Sequence, residues 1–305
     1  MDHLFINNVP DVLSWGNYHS ENLTDPRRYK RRTLTIAVHA GDDNYQEILN
    51  DLALAIASAR LSERELEIWR LAAFEEQPCS QEDREIIARA LKRGISASGE
   101  DWTDRPPRVN LEAFKGHVAE VLHYCVRVNL QQRGVVHPIH YEPPRPKESA
   151  GTPGIDLLEI GGNQEKFYFT VWECKGTETA DPGDRFYNAA CQLVDEDGTA
   201  LNSFMESHRV LQEAEIAGKN DKLVDFIREM PRIFYSTPPK REKRLGGMVC
   251  SHHPHTDGGI NRFSRKIGGQ AYNSRYNCQA IAIHINDFTT FRGDLYRTLW
   301  NIYWT

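Results

Sequence analysis

Apolar side chains recur every three or four residues through three stretches of the first hundred positions, which is the period of an amphipathic helix. The stretches are YQEILNDLALAIASARLS from residue 45, LSERELEIWRLAAFEE from residue 61 and SQEDREIIARALKRG from residue 80. In the third, Ser80 stands three residues before Asp83, a variant of the capping box that starts a helix. The pattern therefore predicts three consecutive helices.

The helical region is preceded and followed by segments of a different kind. TLTIAVHA at 33–40 alternates between apolar and polar positions, which predicts a strand, whereas residues 1–31 are polar and show no clear period. ISASGEDWTDRPPRVN at 95–110 is polar and contains proline, which predicts a boundary. We accordingly expect a mainly helical N-terminal region at 1–105, suited to docking a partner, and a second domain at 106–305.

The second domain alternates between helical periods and short runs of β-branched and aromatic residues. In chain order these are the helical LEAFKGHVAEVLHYCVRVNLQQRG, the extended VVHPIHYE, IDLLEI and KFYFTVWECK, a long helix at about 184–215, the strands RLGGMVCS and CQAIAIHI, and the helical FRGDLYRTLWNIYW. Helices before, between and after the strands predict an α/β fold in which helices flank a central sheet.

Candidate chemistry gathers on two of these strands, which the turn GGNQ joins into a hairpin. Asp156 starts the first strand, and Glu173 and Lys175 end the second. Because strand side chains alternate, Glu173 and Lys175 point the same way and Cys174 points opposite. Carboxylate oxygens suit Mg²⁺, with Mn²⁺ as an alternative, and the Cys174 carbonyl can add a ligand. The pattern predicts metal-assisted phosphodiester hydrolysis with Lys175 orienting water or stabilising charge.

This arrangement resembles the relaxed motif of the PD-(D/E)xK, or restriction-endonuclease-like, nuclease superfamily over positions 111–200. The resemblance implies a core of order αβββαβ with a mixed central sheet flanked by helices. It also implies that Glu120, in GHVAEVLHYC, is a further metal ligand beside Asp156 and Glu173. Gln192, in NAACQLVDE, lies where many members carry a glutamine on the following helix.

The organisation of the C-terminal part also resembles the nuclease subunit of Hachiman-like antiphage systems. That resemblance implies a DNA endonuclease or exonuclease working with a helicase or ATPase. The chain has no GxxxxGK[ST] motif of its own for ATP hydrolysis. The net charge of −6 argues against a stand-alone DNA binder, although RRYKRR at 27–32 and KREKR at 240–244 are basic clusters that can touch phosphates.

Cysteine usage and hydropathy bear on location. Six cysteines without a CxxC pair favour a reduced, cytoplasmic protein, and no apolar run approaches the length of a membrane helix.

Two other functions stay open: a non-catalytic scaffold or regulator with the same fold, and an unrelated α/β protein in which these charges form a structural ion network. His252, His253 and His255, in SHHPHTDGG, favour a solvated loop over a metal site.

Overall fold

A computed structural model gives the fold and describes twelve parts of the chain. These are residues 9–22, 30–36, 39–92, 111–133, 138–142, 156–162, 167–178, 184–185, 188, 241–252, 262 and 276–303. In chain order the elements are β1 (Asn17–Asn22), β2 (Lys30–Ile36), α1 (Tyr45–Ser58), α2 (Glu63–Phe74), α3 (Gln81–Lys92), α4 (Leu111–Gln132), β3 (Pro138–Glu142), β4 (Leu157–Gly162), β5 (Phe167–Thr177), β6 (Arg241–Ser251), β7 (Tyr276–Ile285) and α5 (Phe288–Leu299).

All seven strands form one mixed sheet in the order β1-β2-β7-β6-β5-β4-β3. β2, β7, β6 and β5 are mutually parallel, and the outer strands β1 and β4 run antiparallel to their inner neighbours. β3 pairs antiparallel with β4 at the far edge. The predicted mixed α/β fold is therefore confirmed, as is the predicted hairpin of β4 and β5.

The five predicted helices outside 184–215 are present, and their boundaries have local causes. The Ser80 hydroxyl accepts the backbone N–H of Asp83 at 3.1 Å, so the predicted cap of α3 is confirmed. Ser62 and Glu65 form a full capping box at the start of α2. Of the helix predicted at 184–215, the structure describes residues 184, 185 and 188, all helical, and the remainder lies outside the described residues.

The N-terminal part differs from its prediction in one respect. Residues 17–22, within the stretch predicted to lack a period, form the edge strand β1. The neighbouring strand β2 pairs with β7 from Lys30↔Gln279 to Ile36↔Ile285. Strands from both sequence regions thus share one sheet. The predicted boundary at residue 105 lies outside the described residues.

Buried aromatic side chains fix the helices to one another and to the sheet. The Trp69 Nε1–H of α2 donates to the Leu299 carbonyl of α5 at 3.0 Å, and Trp172 of β5 is fully buried against α4. Burial of this kind contributes most of the stability of such a core. Among the helices of the described ranges, none combines the length and apolar character needed to cross a membrane.

Gly246 of β6 is required because it lies against the ring of Trp172. A Cβ built at Gly246 would approach Trp172 Cε3 to 2.0 Å, and the ring is fully buried and cannot move aside. We therefore expect Gly246→Ala to lower the free energy of unfolding by about 1–3 kcal/mol through overpacking, measured by urea denaturation.

The matched control for this change is Gly293→Ala in α5. A Cβ at Gly293 meets nothing within 4 Å, so alanine should raise the free energy of unfolding by about 0.5–1 kcal/mol through its better helix propensity. Equal unfolding midpoints for Gly246→Ala and the wild type would contradict the close approach of Gly246 to Trp172.

Candidate functional site

The β4–β5 hairpin brings the candidate carboxylates to neighbouring strand positions. Its register runs from Leu157↔Trp172 to Gly162↔Phe167. One further step of the same register places Asp156, which directly precedes β4, across from Glu173. The Lys175 ammonium forms an ion pair with the Glu173 carboxylate, so these two side chains lie on the same face of β5.

The Asp156 carboxylate lies at the end of the β4–β5 ladder and takes the place of a backbone hydrogen-bond acceptor. Its Oδ2 accepts the backbone N–H of Cys174 at 2.7 Å, and the residue is buried. Because β4 begins only at Leu157, the carboxylate stands where the ladder would otherwise supply a carbonyl acceptor. This hydrogen bond holds Asp156 close to the sheet plane beside Glu173.

Cys174 points to the opposite face, toward α4. Its Sγ lies 2.8 Å from His123 Nδ1, and the His123 ring packs edge-on against Trp172 with a centroid separation of 4.5 Å. Burial and the nearby Arg127 charge hold the pKa of His123 well below its ordinary value. The Cys174 thiol is therefore part of the core, which leaves its backbone carbonyl as the group considered for a metal.

The direction of α4 places Glu120 near the start of β4. The Lys115 backbone and side chain approach Gly176 of β5, while Arg127 lies over Trp172 at 4.9 Å, so α4 runs antiparallel to β5 and parallel to β4. Further along α4, Arg127 Nη2 bonds Glu159 Oε2 of β4 at 2.5 Å.

Glu120 shares a stripe of α4 with Arg127, since seven residues are close to two turns. Seven helical residues span about 10.5 Å, and the three strand residues from Glu159 back to Asp156 span about 10 Å. Glu120 is therefore level with Asp156 along the strands, but α4 covers the face of β5 that carries Cys174, opposite Glu173 and Lys175. Consistent with this, no three His, Cys, Asp or Glu side chains of the described ranges come close enough to hold a metal ion together.

The structure therefore brings together the pair Asp156 and Glu173, and it does not gather Glu120 with them into one three-carboxylate cluster. The pair fits a hard divalent cation by its chemistry, because each carboxylate has two oxygens. Asp156 Oδ2 engages Cys174 N–H and Glu173 Oε1 engages Lys175.

Glu120 has two neighbours that sequence reasoning missed. His117 Nδ1 lies 3.8 Å from Glu120 Oε2, and Arg60 Nε donates to His117 Nε2 at 3.2 Å. Burial lowers the pKa of Arg60 to about 10, and the negative charge of Glu120 opposes that shift. The three-residue spacing of His117 and Glu120 on one helix was a usable signal. Arg60 follows α1, and its approach to α4 depends on tertiary packing.

The remaining sequence candidates have different outcomes. Gln192, His253 and His255 lie outside the described residues. His252 is described: its ring Nδ1 accepts the backbone N–H of Phe288 at 3.2 Å, and the backbone N–H of His252 donates to the Thr177 carbonyl at 3.3 Å. His252 thus joins the ends of β5 and β6 to the start of α5, and the described part of the SHHPHTDGG segment is anchored in the fold.

The described parts of the basic clusters are residues 30–32 at the start of β2 and residues 241–244 at the start of β6. Through the registers of β2 with β7, β7 with β6 and β6 with β5, Arg31 is level with Glu173 three strands away, which is about 14 Å. Lys175 is in register with Val249, six residues beyond Lys243 on β6, which is about 20 Å. The described part of KREKR is therefore displaced along the strands from the carboxylate pair, whereas that of RRYKRR is level with the pair across the sheet.

Comparison with models of known protein families gives no match to this chain. The comparison with curated proteins likewise gives none.

Proposed function

We propose that this protein is a metal-dependent nuclease of the PD-(D/E)xK type that hydrolyses DNA phosphodiester bonds. One observation carries the proposal: the β4–β5 register sets Asp156 across from Glu173, with Lys175 two residues further on the same face. The order α4-β3-β4-β5, followed along the chain by β6, supports a restriction-endonuclease-like core.

Asp156 and Glu173 would hold Mg²⁺ or Mn²⁺, with the Cys174 carbonyl as a further ligand. The cation, when bound, would polarise the phosphate and offset its negative charge. The Cys174 N–H fixes the Asp156 carboxylate, which reduces the reorganisation that ligand binding requires. Lys175 is partly exposed, so its ammonium can hold water or stabilise charge developing on the phosphate. Glu173 keeps that ammonium at the site.

We further propose that the nuclease acts in antiphage defence with a helicase or ATPase that delivers DNA. The acidic net charge of −6 supports a need for delivery. A non-catalytic scaffold of the same fold is the alternative. Against it stands the partly buried Glu173–Lys175 pair, because desolvated charges are costly to retain without a use.

The test is cleavage of plasmid DNA, single-stranded DNA and RNA by the full chain with Mg²⁺, Mn²⁺ or EDTA. We expect DNA cleavage that EDTA abolishes, and we expect Lys175→Met to lower its rate by about 100-fold, because one group that stabilises transition-state charge is removed. Initial rates at saturating metal measure the effect.

Arg89→Met is the matched control, since it also removes one cation but from an exposed position on α3. Its cleavage rate should equal that of the wild type. Equal rates for Lys175→Met and Arg89→Met would contradict the role of Lys175. Absence of cleavage by the wild type, alone and with an ATPase partner, would favour the scaffold alternative.

A further inference from the structure

A cavity of about 540 Å³ lies between α1, α2 and α5, outside the candidate site on β4 and β5. Its volume is within the usual range of ligand sites, about 300–1,000 Å³. The polar part of its lining includes Gln46 in the first turn of α1, Glu76 just after α2, Thr298 in the last turn of α5 and Asn301 just after α5. The proposed nuclease chemistry uses none of these residues.

The hydrogen bonds along the cavity wall use donors and leave acceptors. Asn301 Nδ2 donates to the Ala73 carbonyl at 2.6 Å, and Gln46 Nε2 donates to Asn50 Oδ1 at 2.8 Å. The single hydroxyl proton of Thr298 goes to a backbone carbonyl of its own helix at 3.1 Å. Because amide and hydroxyl oxygens accept hydrogen bonds, these three side chains offer a ligand mainly acceptor oxygens.

The charges around the cavity favour a cation. Both α2 and α5 end at its wall, where each helix end carries about half a negative charge, whereas only α1 begins there. Glu76 adds a full negative charge, and the lining cation Arg297 is paired with Asp294 at 2.8 Å. Residues 39–92, which contain α1 to α3, carry twelve Asp and Glu against six Lys and Arg, so the surrounding field is negative.

The backbone of Glu76 is strained. Its φ of 54° lies in the left-handed region, which glycine adopts far more readily than a residue with a Cβ. The chain reverses here after α2, and the Gln77 N–H returns to the Leu71 carbonyl at 3.1 Å. Since glycine would make the same reversal with less strain, a glutamate at this position indicates a use for its carboxylate at the cavity.

We infer that this cavity is the docking site for an arginine side chain on the surface of a partner protein. A guanidinium has five N–H donors and no acceptor, which complements the Glu76 carboxylate and the neighbouring amide and hydroxyl oxygens. Phe74 also lines the cavity and offers an aromatic surface to a cation. The negative field around α1 to α3 attracts a basic protein surface and repels the phosphates of a nucleic acid. The inference is independent of the chemistry proposed for β4 and β5.

The probe is N-acetyl-arginine N-methylamide, an arginine with both backbone ends blocked, titrated into the full ¹⁵N-labelled chain and followed by NMR. We expect it to shift the side-chain amide signals of Asn50 and Asn301. We expect Glu76→Gln to weaken the affinity about 5-fold, because the charged partner of the guanidinium is lost. Glu82→Gln is the matched control, since it removes an exposed carboxylate from α3 outside the cavity, and its affinity should equal that of the wild type.

A citrulline compound with the same blocked ends keeps the shape of arginine without its charge, and it should bind at least about 5-fold more weakly. Equal affinities for the arginine and citrulline compounds, or no shift at Asn50 and Asn301 with either, would overturn the inference. Tighter binding of free arginine than of the blocked compound would also overturn it, because the cavity would then be a small-molecule site. Shifts of the same signals by a DNA oligonucleotide would overturn the assignment to a basic protein.

Glu76→Gly provides a second test, which also serves should Glu76→Gln fail to fold. Glycine relieves the strain at this position, so we expect the urea midpoint to rise while binding of the blocked arginine is lost. A glycine variant that binds the blocked arginine as tightly as the wild type would overturn the role of the Glu76 carboxylate and with it the inference.

Discussion

Asp156→Asn should leave the fold intact and lower Mg²⁺-dependent DNA cleavage at least about 1000-fold, which corresponds to about 4 kcal/mol of transition-state stabilisation. The asparagine carbonyl can still accept the Cys174 N–H, so the end of the β4–β5 ladder is retained. The charge that attracts the cation is lost. Steady-state cleavage rates over a range of Mg²⁺ concentrations measure the change, and thermal unfolding checks the fold.

Asp11→Asn is the matched control for this prediction. Asp11 forms an exposed ion pair with Arg133, and such pairs contribute about 0–1 kcal/mol to stability. Cleavage by Asp11→Asn should therefore match the wild type. A cleavage rate for Asp156→Asn within tenfold of the wild-type rate would show that the hairpin carboxylates are structural.

Arg127→Met should lower the free energy of unfolding by about 3–5 kcal/mol, because it leaves the Glu159 carboxylate buried beside an apolar side chain. Arg127 and Glu159 are fully buried, 2.5 Å apart, and Glu159 Oε2 also accepts the Trp172 Nε1–H at 3.3 Å. This ion pair joins α4 to β4. Urea denaturation of the single variant measures the loss.

The double variant Arg127→Met, Glu159→Leu separates the ion pair from packing. Replacing both charges with apolar groups of similar size removes the uncompensated carboxylate, so most of the lost stability should return. The account of the buried pair would be contradicted if the double variant were less stable than Arg127→Met alone.

The sequence predicts most elements of this fold because their patterns are local. Ser80 with Asp83 marks the start of α3, and the aromatic run of β5 is a strand by composition alone. β1 escapes prediction because NYHSEN is polar and pairs at the edge of the sheet. The pairing of β2 with β7 joins Lys30 to Gln279, and no local pattern specifies so distant a partner.

The sequence likewise predicts some residues of the candidate site and misses others. Strand alternation and one hairpin are enough to place Glu173 and Lys175 on one face beside Asp156. The approach of Arg60 to His117 depends on how the end of α1 packs against α4, which a sequence period does not define.

The buried charges are the least predictable part of the molecule. A charged residue such as Arg127 or Glu159 is ordinarily assigned to the surface, and here each is buried because the other is present. A sequence pattern does not reveal that such a pair meets across α4 and β4.

The most direct test of the central claim is a crystal structure of the full chain soaked with Mn²⁺, with anomalous diffraction data. The account predicts an anomalous peak at about 2.0–2.3 Å from oxygens of both Asp156 and Glu173, and its loss in Asp156→Asn crystals. An ordered Mn²⁺ elsewhere, with these two carboxylates bound only to Cys174 N–H and Lys175, would contradict it.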